Sequence, residues 1–152
     1  MNEHGFVKAV HRHLSPDTYK WKIHDTYTGG VPDAMYAGPA CLLFVEYKFI
    51  QNLPKRKQTP IKTGLSALQE QWLEKMFGYK VVVMVIIGSN QGVAIVSEPP
   101  FGLGLKKTDF YYMTAKDVAH HIDAIVQGYE NGLFKITNPS AKLAQDLGDK
   151  KS

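Results

Sequence analysis

The sequence predicts an α/β domain built on one mixed β-sheet flanked by helices, and three observations carry that expectation. Residues 18–24, 31–36 and 41–49 are strand-like segments joined by short Gly- and Pro-containing links, as neighbouring antiparallel strands require. The helical pattern Leu65 to Phe77 then leads into Tyr79 to Gly88, a nearly continuous β-branched run suited to a central strand reached by a parallel crossover. Finally, Ser89-Asn90-Gln91-Gly92 is a hairpin signal that returns the chain as Gly92 to Ser97.

Each element has a local reason. Glu3 to Leu14 is amphipathic, with Phe6, Val7, Val10 and Leu14 on one side and Ser15-Pro16-Asp17 as its stop. Thr18 to His24 alternates aromatic and β-branched residues with polar ones, which predicts a half-buried first strand. Thr28-Gly29-Gly30 is a turn, Val31 to Tyr36 the second strand, and Cys41 to Phe49 the third. His24-Asp25 would cap that hairpin or reach a nearby site. Ser66 is placed to cap the helix that ends at Gly78, and Trp72 is expected in the core. Thr114-Ala115-Lys116-Asp117 caps a last helix running to about Tyr129, which would pack on the core or on a second copy. The expected organisation is one domain over residues 1–137, with its core at about 3–97, a helical addition at about 114–130 and a polar tail at 138–152.

At 152 residues and 44% hydrophobic content, the chain can bury one real core. Its longest apolar run, Val81 to Ile87, is strand length, so no membrane span is expected, and the first residues lack a secretory pattern, which suggests an intracellular, cytoplasmic protein. The single cysteine, Cys41, excludes an internal disulfide and reads as a small buried hydrophobe. Adjacent His120 and His121, and His11 with His13, lack the spacing of a helix-borne metal pair; His11 and His13 are expected at the surface or on a phosphate. The glycines of 98–107 do not form a nucleotide-binding loop. The net charge of +4 is concentrated in Pro54 to Gly64, where Lys55, Arg56, Lys57 and Lys62 occur without an anion. This loop follows the third strand and could neutralise phosphates of a nucleic acid.

The chemistry-bearing residues are Asp33, in Val31-Pro32-Asp33, and Glu46-Tyr47-Lys48, which begins thirteen residues later. Alternation along a strand puts Glu46 and Lys48 on one face and Tyr47 on the other. If Asp33 ends a neighbouring strand, two carboxylates converge where a hard divalent cation could sit beside an ammonium group, with water poised to attack a phosphodiester. The alternative is an exposed cross-strand ion pair worth ~0.2–1 kcal/mol.

Pro32-Asp33 with Glu46-Tyr47-Lys48 resembles the PD-(D/E)xK signature of restriction-endonuclease-like nucleases. Gly30-Val31-Pro32-Asp33, Phe44 to Lys48, and Leu65-Ser66-Ala67-Leu68-Gln69-Glu70-Gln71-Trp72-Leu73 together resemble the VRR-NUC group, over roughly residues 3 to 97. The resemblance implies a restriction-endonuclease-like core of order αβββαβ. It also implies Mg²⁺ or Mn²⁺ held by Asp33, Glu46 and the Tyr47 carbonyl, with Lys48 stabilising phosphorane charge or orienting and deprotonating water. Gln69 matches the family's helix pattern and would lie near the catalytic centre. Glu3 is a candidate first-helix acid for metal or water. Members are similar to Holliday-junction resolvases, occur in phages as small single domains and can be homodimers. The implied activity is metal-dependent DNA endonuclease cleavage, structure-specific on branched DNA. A nonspecific or site-specific endonuclease and a non-catalytic nucleic-acid-binding module are the alternatives.

Overall fold

The computed structural model describes residues 1–25 and 27–129, so the expected tail at 138–152 and the domain end at 137 lie outside the described residues. Helix α1 (Glu3–His13) starts where the Asn2 side chain accepts the Gly5 amide at 2.8 Å. Five strands follow in a sheet ordered as in sequence: β1 (Tyr19–Lys22), β2 (Ala34–Ala37), β3 (Leu42–Ile50), β4 (Val82–Ser89) and β5 (Val93–Val96). Helix α2 (Ala67–Gly78) makes the crossover that leaves β3 and β4 parallel, and the other neighbouring pairs are antiparallel. The expected αβββαβ order is present, with β5 following it and helix α3 (Ala115–Gln127) added beyond.

The period of two along β3 and β4 divides the core between the two faces of the sheet. Leu43, Val45, Tyr47, Met84 and Ile86 pack with Phe6 and Val10 of α1 and with Val118, Ile122 and Val126 of α3. Val83, Val85 and Ile87 pack on the other face with Leu73 of α2 and with Phe101, Leu105 and Phe110. Helix α3 thus packs on this chain's own α1 and sheet. Its cap at Thr114 and Asp117 is formed as expected, Ser66 caps α2 as expected, and Gln69 closes a capping box there that was not foreseen.

Several expectations are corrected. β2 begins at Ala34, three residues later than Val31, because Gly30 takes a left-handed φ of 85° and Pro32 has no amide to pair. A side chain at Gly30 would also collide with the Leu68 carbonyl of α2, so the glycine permits a close approach between this loop and the helix. β1 is exposed along its whole length rather than half-buried, since it is the sheet's edge and nothing covers it among the described residues. Cys41 is only half-buried and precedes β3, with its Sγ 3.6 Å from the Ile125 carbonyl oxygen. His11 is not a surface group: its Nε2 lies 2.7 Å from the Tyr36 hydroxyl, whose oxygen is 2.6 Å from that of Tyr47. Burial, then the charges of Lys20 and Lys22, lower the His11 pKa to about 4, which leaves the ring neutral at pH 7.

The segment joining α1 to β1 is tied to α3 by Asp123, which is buried. Its Oδ2 accepts the Ser15 amide at 2.9 Å and its Oδ1 accepts the Thr18 hydroxyl at 2.7 Å. Asp123→Ala would strand both donors, and we expect it to cost about 2–3 kcal/mol of folding stability, measurable as a lowered urea midpoint at unchanged slope.

Candidate active site

The paired carboxylates meet at the point where β2 and β3 stop pairing. Ala34 lies opposite Val45 in the ladder, so continuing the register places Asp33 opposite Glu46 and Pro32 opposite Tyr47. Residues directly opposite share a face, and the Asp33 charge is close enough to raise the Glu46 pKa, second only to burial. Asp33 is fixed by main-chain bonds: its carbonyl accepts the Ile23 amide at 2.8 Å, and its Oδ2 accepts the Tyr47 amide at 3.0 Å.

That second bond also locates the Tyr47 carbonyl. A strand residue directs its N–H and C=O to the same side, so the Tyr47 carbonyl points toward Asp33 rather than toward β4. In an ordinary ladder an amide from the opposite residue would occupy it. Pro32 has none to give. The sequence reading missed this role of the proline, although the Pro-Asp pair itself was the available signal.

Glu46 is the most constrained group of the set. Its side chain is 3% exposed, and its Oε1 accepts the Gln69 amide Nε2 at 2.9 Å with the Lys48 ammonium 3.7 Å away. Its Oε2 is buried with no hydrogen-bond partner. Burial, with the charge of Asp33 next, raises the Glu46 pKa to about 8, while Lys48 opposes the shift. A charged Glu46 faces the Asp33 carboxylate, and Lys48, beside Oε1, offsets that repulsion only in part.

Gln69 reaches this point because it is the third residue of α2. Its Oε1 accepts the Ser66 amide at 2.9 Å, closing the capping box, and its Nε2 remains to hold Glu46. The amide therefore links the start of the helix to the carboxylate.

Glu3, at the start of α1, completes the surroundings. Its pKa is raised by partial burial and then by Asp33, and lowered by Lys48 and Lys22. A cleft of about 280 Å³ opens beside Asp33, with Glu3, His4, Lys22 and His24 in its wall. Asp25 is not part of the site chemistry: its Oδ1 accepts the amides of Tyr27 and Thr28, the capping role foreseen for this turn. Of the basic loop, Lys55, Arg56 and Lys62 are exposed and Lys57 half-buried, while Leu53 and Ile61 are buried and a bridge from Ile61 to Leu105 anchors the segment.

The donor set suits a hard cation. Among the described residues there is no group of three or more His, Cys, Asp or Glu side chains arranged to hold a metal. Two carboxylates, one with an unpartnered buried oxygen, and a main-chain carbonyl without an amide donor are the ligands an ion that keeps several waters would need.

No family model matches this sequence, and no curated protein matches it. Among solved structures, the chain is similar to Hjc, a Holliday junction resolvase from the archaeal hyperthermophile Archaeoglobus fulgidus, with a TM-score of 0.46 and 13% identity over 71% of this chain and 86% of that one. At this level the likeness is one of general outline, and no residue's role is carried over from it. No helix among the described residues is long and apolar enough to cross a membrane.

The raised Glu46 pKa sets the sign of a pH effect in metal-free protein. The folded state holds a proton that the unfolded chain releases near 4.5, so stability falls as pH rises from there through about 8. Glu46→Gln should flatten that dependence and leave the variant more stable than the parent above pH 8, as chemical denaturation across the pH range would register.

Proposed function

We propose that this protein is a divalent-metal-dependent DNA endonuclease of the PD-(D/E)xK type, similar to the VRR-NUC group, and that its preferred substrate is branched DNA. The observation that carries the reading is the buried Glu46 carboxyl set against Asp33 with an orphaned oxygen and with Lys48 on the same strand face. A buried acid facing a second, half-buried carboxylate is unfavourable unless protonated or joined by a cation.

Asp33, Glu46 and the Tyr47 carbonyl would hold Mg²⁺ or Mn²⁺. When bound, such an ion supplies Lewis-acid polarisation of a phosphoryl oxygen and makes water more acidic. The remaining work falls to the chain. Lys48 offers a positive charge to the pentavalent phosphorus transition state or orients the attacking water. Gln69 fixes the Glu46 carboxylate without adding charge. Glu3 stands in the wall of the Asp33 cleft, where a carboxylate of raised pKa could accept a proton from water. Lys55, Arg56, Lys57 and Lys62 would neutralise substrate phosphates, giving an affinity that weakens with salt. A homodimer would present two such sites to the arms of a junction.

Incubating the protein with a labelled four-way junction and the matching linear duplex, in Mg²⁺, Mn²⁺ or chelator, tests this reading. Metal-dependent junction cleavage is expected, lost by at least 100-fold in Asp33→Asn and in Glu46→Gln, on the order of a removed transition-state contact. Equal cutting of both DNAs would replace the junction preference with general endonuclease action. Binding without turnover in any metal would favour a non-catalytic module.

A further inference from the structure

The edge strand β1, Tyr19-Lys20-Trp21-Lys22, is exposed at every residue, with Tyr19 60% and Trp21 51% exposed. Its alternation separates two chemistries. Trp21 lies opposite Met35 and Met35 opposite Phe44, so Trp21 shares the sheet face that carries Glu46 and Lys48, while Lys20 and Lys22 project from the other face. A large aromatic left bare beside two lysines on an edge strand has no role in the core.

Trp21 borders a hollow of about 540 Å³ whose wall is Trp21, Ile23, His24, Asp25, Val31 and Phe44. This hollow adjoins the candidate active site on two counts. Ile23 and His24 also line the cleft beside Asp33, and Phe44 is two residues before Glu46, a separation of roughly 7 Å along a strand. Its chemistry selects a base rather than a phosphate. The floor and sides are apolar and aromatic, and the one charged side chain at the rim is the Asp25 carboxylate, which would repel an anion. The cations Lys20 and Lys22 lie outside the hollow, along the strand, where a backbone could pass.

We propose that Trp21 is a stacking platform for an unpaired nucleobase of the substrate strand, received in this hollow next to the phosphate presented to Asp33 and Glu46. The inference rests on the nuclease reading for the identity of the ligand and adds a reason for preferring branched or single-stranded DNA. An unpaired, unstacked base can turn its face into such a hollow, whereas a base inside a duplex cannot.

The chain has two tryptophans, so Trp72→Phe leaves Trp21 as the single reporter. In that variant, in chelator, an oligothymidylate should quench indole emission saturably, and blunt duplex should do so much less. Independently, with the parent background, Trp21→Ala should weaken oligothymidylate binding, followed by fluorescence anisotropy of a labelled strand, about ten-fold, with Trp21→Phe retaining most of the affinity. Binding without quenching, or unchanged binding in Trp21→Ala, would overturn the platform. So would a protein-concentration-dependent emission change in the absence of DNA, which would mark the face as a contact between copies. If junction cleavage is lost in Asp33→Asn while Trp21→Ala binds normally, the platform fails and the nuclease stands. If quenching occurs but no metal supports cleavage, the nuclease reading fails and the base site remains.

Discussion

A buried carboxylate set against a half-buried one sets the terms for the rest of this structure. Asp33, just before β2, and Glu46, on β3, lie at the same level, and Glu46 is almost wholly withdrawn from water. Such a pair favours a proton on Glu46 or a bound cation, because Lys48 offsets the repulsion only in part. Lys48 and Gln69 both approach Oε1, while Oε2 keeps no partner. The fold therefore supports one side of the Glu46 carboxylate and leaves the other to whatever resolves the charge conflict.

The strand geometry that creates the conflict also supplies its context. β3 is central and parallel to β4, so Glu46 is held on a strand covered on both faces. β2 ends its pairing at Ala34, freeing Asp33 to bond the Tyr47 amide through its side chain. Pro32 keeps an amide away from the Tyr47 carbonyl, and Gly30 lets the preceding loop press against the start of α2, from which Gln69 reaches Glu46. On the opposite face, the hydroxyls of Tyr47 and Tyr36 and the neutral ring of His11 form a buried chain that ties the site strand to α1. The residue between Glu46 and Lys48 is thus an anchor, and α1 both supports β3 and carries Glu3 to the Asp33 cleft.

What could be read from the sequence followed from local rules. The period of two placed Glu46 and Lys48 together, the β-branched run identified β4 as central, and Ser66 marked a helix start. Facts depending on distant partners were not legible. The pattern Tyr19-Lys20-Trp21-Lys22 is the same for a half-buried strand and an edge strand, and only the sheet order decides that it is bare. His11 reads as a surface histidine in the sequence because its partner, Tyr36, is 25 residues away and on another element. Asp123 gave no signal at all, since its donors are more than 100 residues earlier in the chain. For the candidate site, the spacing indicated which residues to bring together. The desolvation that raises Glu46, and the orphaned oxygen, emerge only from packing.

The central claim is that a divalent cation held by Asp33 and Glu46 takes the place of the proton that Glu46 otherwise carries. Titration calorimetry with Mg²⁺ near neutral pH, repeated in buffers of different ionisation enthalpy, tests it most directly, because binding and proton release are read together without reference to any substrate. The account predicts saturable binding that expels about one proton per ion, with the release and most of the affinity lost in Glu46→Gln. Absence of binding, or binding of equal strength without proton release in that variant, would contradict it.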